Sequence, residues 1–375
     1  MANYKFRATP MFRQKLDTKN VMFRLTIGLV IVYIFGLWNS SRYGMEYFFH
    51  TLDMLAVSLV AGVGTEALYA YVLKKDVKEY LSTSFPWVTC LIITEIVPCD
   101  TSVYAIFVST VLAIFFGKLV FGGFGQNTFN PAAVGRCFIT TSFVSVASVD
   151  LIASATPAKA FASVNWLMTP ETFDIFTNQY GGIWNLFFGQ YHGALGETSA
   201  LLLIAILIIF LKDGVVDNRV PLTFLTVCFV SAWIIGAING LGIEYAIAFL
   251  STGGLVYGGV FMLTDPVTSP FTVPGRMVFA CIAAVVTCLI RFLGNLPEGM
   301  CYGILIANML SPLIDKLFSC KQVDSYKRNS IITYVTIVLS IACIVLATSG
   351  LKPGEYKASE KSAVVYTIGN NANNL

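Results

Sequence analysis

The chain has 375 residues and a net charge of +3, with 56% hydrophobic and only 12% charged residues. A soluble domain covers its surface with about 25% charged residues, so the composition excludes an ordinary water-soluble protein. We therefore expect an all-α polytopic protein embedded in a lipid bilayer. The small net charge gives no indication of a nucleic-acid partner.

Apolar segments that approach the roughly 20 residues of a membrane span recur along the chain. The predicted spans, in chain order, are residues 22–38, 54–73, 81–97, 103–121, 132–147, 199–212, 219–240, 244–262, 274–294, 298–317 and 330–349. The spans at 81–97, 132–147 and 199–212 are short and flanked by proline or glycine, which makes broken or re-entrant helices an alternative to full crossings. The sequence accordingly predicts about 9–11 transmembrane helices.

Lysine and arginine indicate the orientation, because they are enriched in cytoplasmic loops. If the N-terminus is inside and the spans alternate, most of the 24 basic residues lie on the inner side. The expected organisation is a cytoplasmic segment (1–21), a first membrane half (22–147), an extracytoplasmic loop (148–198), a second membrane half (199–317), a cytoplasmic loop with the last span (318–350) and a polar tail (351–375).

Cysteine and histidine are not arranged for a metal site. The nine cysteines include no C-x-x-C pair, so we expect no iron–sulfur cluster held by this chain alone. The two histidines, His50 and His192, stand apart in polar stretches, which argues against haem or zinc. No metal ligand is predicted.

A first polar stretch, Gly122–Arg136, interrupts the apolar pattern after the fourth predicted span. Its glycines permit turns with positive φ, and Pro131 suits the first turn of a new helix. Asn127 and Asn130 can cap that helix or present their amides to a heterocycle. A tight helix–loop–helix connection and a ligand site therefore remain alternatives.

A second polar stretch, Phe261–Pro270, follows the eighth predicted span. Asp265 and Pro266 break the helix there and leave backbone groups free for a ligand, with Thr268 as a further candidate. The glycine pair at 258–259 just upstream is typical of close helix packing. Because a glycine pair also opens the first stretch, we expect two pseudo-repeated halves with interrupted helices facing each other.

A third stretch, Asp150–Pro157, lies in the expected outer loop. Thr156 precedes a proline, so its backbone is biased toward an extended conformation. The small residues before it, including Ser154 and Ala155, leave its hydroxyl open to an approaching enzyme. Taken alone, a surface Thr-Pro pair is typical of a turn.

Together these stretches resemble the family that includes the D subunit of Rnf complexes and the B subunit of the sodium-pumping NADH:quinone oxidoreductase. Gly122–Arg136 matches the family segment GG-x-G-x-N-x-FNPA-x-x-GR, and Thr264–Pro270 matches TDPVTSP. The family motif D-G-x-S-G-A-T is matched at Asp150, Ala155 and Thr156. It is not matched at Leu151, Ala153 and Ser154. The resemblance covers roughly residues 20 to 320, and the chain is most like the D subunit.

The resemblance implies an electron-carrying subunit of a redox-driven ion translocase in a bacterial inner membrane. Thr156 would carry FMN through a phosphoester, attached by an FMN transferase on the outer face. Asn127, Asn130, Asp265 and Thr268 are candidates for contacting a second, non-covalent flavin, riboflavin. The implied partners are the other members of a six-subunit membrane complex, including an outer FMN-carrying subunit.

Ionisable residues inside spans are functional candidates, because a charge in lipid costs several kcal/mol. Glu66 and Glu95 are the clearest, with an ion path and a structural hydrogen bond as alternatives. Lys118 is expected to extend its charge to the inner face. The sequence does not separate Na⁺ from H⁺ as the transported ion.

Two other functions remain open. Interrupted helices in two halves are also typical of transporters, so a solute transporter or channel with a urea-channel-like fold is an alternative. A scaffold subunit without a cofactor is a second. Neither requires Thr156 or its loop, so the state of that hydroxyl discriminates between the hypotheses.

Overall fold

The computed structural model describes residues 17–143, 156–189, 191, 193–294, 299–319 and 326–354. In the last of these ranges, side chains are described from residue 331 onward. Within these ranges the regular structure is helical and contains no β-strand. The helices are α1 Thr18–Ser41, α2 Met45–Val72, α3 Val77–Ser84, α4 Pro86–Glu95, α5 Val103–Ile114, α6 Pro131–Ser142, α7 Pro157–Ala162, α8 Pro170–Gln179, α9 Ile183–Phe188, α10 Ala200–Asp213, α11 Arg219–Ile238, α12 Ile243–Ser251, α13 Leu255–Tyr257, α14 Val273–Leu293, α15 Met300–Phe318 and α16 Tyr326–Thr348. The predicted all-α polytopic fold is confirmed.

Fewer helices than expected are long enough to cross a membrane. Within the described residues six qualify, namely α1, α2, α11, α14, α15 and α16, and the bent pair Ile243–Ser251 and Leu255–Met262 makes a seventh if it is one span. The predicted short spans form helices of 10, 12 and 14 residues (α4, α6 and α10). Pro86 and Pro131 set the starts of α4 and α6, because proline is favoured at the first position of a helix.

Contacts near the two ends of α1 define two sides of the bundle. Near its start, Arg24 Nη1 lies 2.5 Å from Asp213 Oδ2 at the end of α10. Near its end, Asn39 Nδ2 donates to the Tyr191 carbonyl over 3.1 Å. The 24 residues of α1 span about 36 Å at a rise of about 1.5 Å per residue. We call these the Arg24 side and the Asn39 side.

The described part of the expected outer loop is folded rather than open. Helices α7 and α8 pack through an aromatic cluster that also includes Trp166, which lies between them, and two residues of α12. The cluster consists of Phe161, Trp166, Phe173, Phe176, Tyr245 and Phe249. The cluster packs the segment from α7 to α8 against the second membrane half. Helices of six to ten residues are too short to give a clear helical period in the sequence, which is why a loop was expected.

Arg291 of α14 supports this aromatic cluster from inside the bundle. Its guanidinium carbon lies 4.1 Å from the centre of the Trp166 ring, and the group donates to the carbonyls of Phe249 and Thr252 over 2.8 and 3.0 Å. The Arg291 side chain is fully buried.

Each polar break follows a π-helical turn. The first turn, Phe115–Leu119, extends α5, and the second, Gly258–Met262, extends α13. Such turns are rare and occur frequently at functional sites. Asn130 Nδ2 donates to the carbonyl of Met262 over 3.0 Å, which ties the first break to the second π-helical turn. The two interrupted helices therefore meet in the interior of the bundle.

Candidate functional site

A cavity lies where the two breaks meet, toward the Arg24 side. Its empty volume is about 730 Å³, including space open to solvent. The wall combines apolar side chains with a few polar ones, which is typical of a small-molecule site. The lining includes Met22, Phe85, Lys118, Phe124, Asn127, Asn130, Val216 and Asp265. The structure thus brings together three of the predicted residues, Asn127, Asn130 and Asp265.

The first break supplies the two asparagines, and they differ in what they do. Asn130 is the N-cap of α6, with its Oδ1 accepting from the backbone amides of Ala132 and Ala133. Its Nδ2 is bonded to Met262, so the amide of Asn130 shapes the cavity wall. Asn127 Nδ2 donates to the carbonyl of Phe129 over 3.1 Å, which holds the break in its turn.

The second break supplies Asp265, whose carboxylate accepts from the Val267 amide over 3.0 Å. This local bond turns the chain after the π-helical turn and leaves Asp265 half-buried at the cavity. Thr268, also predicted, is not among the cavity-lining residues. Its hydroxyl is buried and has no hydrogen-bond partner among the described residues.

Lys118 is a buried cation in the cavity wall. Its Nζ lies 2.6 Å from Glu66 Oε1 and donates to the Ser84 carbonyl over 2.5 Å. The side chains of Lys118 and Glu66 are only 3% and 0% exposed. The expectation that Lys118 extends to the inner face is wrong, since an interior carboxylate holds the ammonium. Glu66, predicted as an ion-path candidate, is thereby placed beside the cavity.

Glu95 lies apart from this pair. Tyr257 donates its hydroxyl to Glu95 Oε2 over 2.7 Å, and the other carboxylate oxygen has no partner among the described residues. The backbone carbonyl of Glu95 accepts from the Gly196 amide over 2.7 Å. Glu95 therefore joins the end of α4 to the connection that precedes α10.

Thr156 is the N-cap of α7, and its Oγ1 accepts from the Lys159 amide over 3.3 Å. The residue is extended (φ −60°, ψ 150°), as its position before proline predicts, and it is half-buried. The hydroxyl thus keeps its hydrogen and its access to other molecules. The associated candidates Asp150, Ser154 and Ala155 lie outside the described residues.

Thr156 and the cavity lie on opposite sides of the bundle. α11 starts next to Asp217, which pairs with Arg276 on the Arg24 side, and runs to Ile238 on the other side. Phe161 of α7 contacts Tyr245 near the start of the following helix, α12. The Thr156 segment therefore belongs to the Asn39 side. The structure does not bring all predicted residues into one site.

Several interior residues of the site region were missed from the sequence. Tyr257, Arg291 and Trp166 stand in ordinary apolar or polar segments and carry no motif. Lys118 gave a usable signal, because a lysine inside an apolar run requires a partner, and Glu66 and Glu95 were the candidate carboxylates upstream. Spacing alone could not reveal its role in a cavity wall.

These observations define an all-α multi-pass membrane protein with two interrupted helices around an interior cavity. The chain belongs to the NQR2, RnfD, RnfE family, whose sequence profile matches residues 5–324. The family resemblance drawn from the motifs is confirmed.

Individual relatives fall into two groups. The chain is 29% identical over 323 residues to the D subunit of the proton-translocating ferredoxin:NAD(+) oxidoreductase complex of Clostridium ljungdahlii, covering 84% of this chain and 94% of that protein. It is also 29% identical to the D subunit of the Na(+)-translocating complex of Acetobacterium woodii, covering 84% and 93%. Identity to the B subunit of the Na(+)-translocating NADH-quinone reductase of Ectopseudomonas mendocina is 30%, covering 75% of this chain and 69% of that protein.

Proposed function

We propose that this chain is the D-type membrane subunit of an Rnf-type ferredoxin:NAD(+) oxidoreductase and carries electrons coupled to ion translocation. The observation that carries the proposal is the joining of the two family motifs around one cavity, with Asn130 bonded to Met262. Coverage favours the D-type over the quinone-reductase B-type assignment, because the match spans 94% of the D-type relative and 69% of the B-type relative.

FMN would be attached at Thr156 through a phosphoester. The residue fits this role because it is half-buried at the start of α7 and its Oγ1 accepts a backbone amide, which leaves the hydroxyl hydrogen free. When bound, the isoalloxazine ring supplies the redox chemistry by accepting electrons one or two at a time. Thr156 anchors the group, and the aromatic cluster behind α7 positions the anchor.

The cavity would hold the second, non-covalent flavin, riboflavin. Phe85 and Phe124 provide an aromatic wall, with ring centres 5.4 Å apart. Asn127 and Asp265 provide polar groups, and Lys118 places a positive charge beside them. These groups suit a flat apolar ring system with a polar edge.

Glu66 and Glu95 remain candidates for the ion path. Each is fully buried and each has one carboxylate oxygen without a partner among the described residues. A buried carboxylate oxygen of this kind can accept a proton or contribute to a cation site.

We place the chain in a bacterial inner membrane with its N-terminus inside. It would work in a six-subunit complex that includes an outer FMN-carrying subunit, and an FMN transferase would attach its FMN.

The covalent flavin is tested by comparing two threonines of the same type. Thr169 also caps a helix and also precedes a proline, with its hydroxyl accepting from the Thr172 amide. The full chain is co-expressed with an FMN transferase, and ultraviolet fluorescence on a denaturing gel and intact mass are measured. Thr156→Ala should lose both signals and Thr169→Ala should keep them. A fluorescent Thr156→Ala chain, or a wild-type chain without flavin, refutes the attachment.

The cavity flavin is tested separately in the Thr156→Ala background. Acid extraction should release riboflavin from the purified chain. Val267 lines the cavity, so the larger side chain of Val267→Trp should occupy it and abolish riboflavin binding. Val273→Trp, at an exposed position outside the cavity, should leave riboflavin binding unchanged. Equal flavin content in both tryptophan variants would place the ligand elsewhere. A chain that binds no flavin in either experiment would favour the transporter or scaffold alternative.

A further inference from the structure

Asn308 in the middle of α15 is a buried polar residue that the proposed function does not use. It is 0% exposed, and neither its Nδ2 nor its Oδ1 has a hydrogen-bond partner among the described residues. Leaving a buried polar group unpaired is destabilising by about 1–3 kcal/mol. Nearly all buried polar groups in proteins are paired, so an amide with both ends unpaired within the protein can bind a water, an ion or another polar molecule.

The backbone at the same position is also short of a donor. Pro312 lies inside α15, four residues after Asn308. Proline has no N–H, so the carbonyl of Asn308 lacks its α-helical hydrogen bond. A side-chain oxygen and a backbone oxygen of one residue are thus both without their usual donors. In membrane proteins, carbonyls freed in this way coordinate Na⁺ or other cations in the interior.

Asn308 lies on the side of α15 that faces the second interrupted helix. Near one end of α15, a Cβ added to Gly258 would lie 2.5 Å from Met300 Cγ, so Met300 touches the π-helical turn. Near the other end, Asp315 accepts from the amides of Phe271 and Thr272, where the break ends. Asn308 is about two turns of 3.6 residues from both Met300 and Asp315, so the three share a side of the helix.

The unpaired oxygens of Asn308, one from its amide and one from its backbone carbonyl, are neutral rather than carboxylate oxygens. Asp315 is already occupied by the two backbone amides and the Thr272 hydroxyl. The second break also contains Thr268, whose buried hydroxyl has no partner among the described residues. Neutral carbonyl, amide and hydroxyl oxygens suit a hard cation of low charge, because oxygen is its preferred ligand and no compensating negative charge is required.

We propose that Asn308 is a ligand of a buried site for a monovalent cation of the sodium class, between α15 and the second interrupted helix. This site involves neither Thr156 nor the cavity residues, so it stands independently of the flavin assignments. Na⁺ would bind the folded chain and not the unfolded one, so its addition should raise the melting temperature.

The test uses the full chain in lipid nanodiscs, with melting followed by tryptophan fluorescence in Na⁺, K⁺ or choline chloride at constant ionic strength. Wild type should melt at a higher temperature in Na⁺ than in choline. Asn308→Leu should weaken the apparent Na⁺ affinity at least tenfold. The matched control is Thr287→Val, a buried change on α14 where it packs closely against Gly303 of α15, and it should keep the Na⁺ response.

Asn308→Asp keeps the side-chain oxygen and adds a negative charge, so it should bind Na⁺ more tightly than wild type. This variant carries the test if Asn308→Leu does not fold. The proposal is overturned if wild type shows no Na⁺-specific shift, which would indicate that the amide is met by water only. It is also overturned if Asn308→Leu responds like wild type, or if Asn308→Asp does not strengthen the response.

Discussion

The buried pair of Lys118 and Glu66 allows a quantitative prediction. With Nζ and Oε1 2.6 Å apart, the Coulomb attraction is about 6 kcal/mol at an effective dielectric constant of about 20. Removing both ions from water costs several kcal/mol each, so the net contribution of the pair to folding is small. Removing one partner is different, because the other ion then stays buried without compensation.

We therefore expect unequal effects from single and double changes. Lys118→Met should destabilise the chain by about 3–5 kcal/mol, because Glu66 loses the cation that pairs with it. Glu66→Gln should cost about 1–3 kcal/mol, since the glutamine oxygen and the Ser84 carbonyl still accept from the ammonium. Glu66→Leu combined with Lys118→Met should lie within about 1.5 kcal/mol of wild type, because two apolar groups of similar volume replace the pair.

The measurement is unfolding of the purified chain by detergent titration in mixed micelles, analysed as a double-mutant cycle with Glu66→Leu and Lys118→Met as the single variants. The coupling energy should exceed about 2 kcal/mol. If the two single effects add to within about 0.5 kcal/mol of the double effect, the residues do not form an ion pair in the folded chain, and the account of the cavity wall is wrong.

Three further predictions concern single contacts. Arg291→Lys should destabilise the chain by about 2–3 kcal/mol, because lysine cannot stack on Trp166 while it donates to two carbonyls. Unfolding by detergent titration measures the change, and an unchanged unfolding midpoint would contradict the prediction. Asp315→Ala removes the acceptor of the backbone amides of Phe271 and Thr272, so hydrogen exchange at these two amides should become at least tenfold faster. Unchanged exchange rates would show that the amides have another acceptor. Gly196→Ala should lower the free energy of unfolding by about 1–3 kcal/mol, because the added Cβ would lie 2.7 Å from the Tyr257 ring. An unchanged free energy of unfolding would mean that the ring can move aside without cost.

The fold class was predictable because lipid imposes simple rules on sequence. Low charge and long apolar segments indicate helices, and prolines at Pro86 and Pro131 mark where two of the shorter ones begin. Span lengths were harder to predict, because apolar composition continues past the point where a helix ends. At Phe85, for example, the backbone turns to a left-handed conformation (φ 52°) inside the predicted span 81–97. Hydropathy carries no information about such a turn.

The candidate site was predictable where a polar residue has a local backbone role. Asn130 and Asp265 were found because capping and turn formation depend on residues only two or three positions away. The meeting of the two breaks, by contrast, depends on the bond between Asn130 and Met262, which are 132 residues apart. Asn308 was overlooked for a similar reason, since only the packed structure shows that its amide has no partner among the described residues.

The packing behind Thr156 has a mechanical consequence. Phe161 stacks on Trp166 with ring centres 5.2 Å apart, and Arg291 of a long membrane helix supports Trp166 from below. A molecule joined to the Thr156 oxygen would therefore be attached to a rigid part of the protein. Only its own rotatable bonds would determine how far it can move. Any neighbouring protein that exchanges electrons with it would have to dock within that short radius, so the anchor itself would determine where a partner can sit.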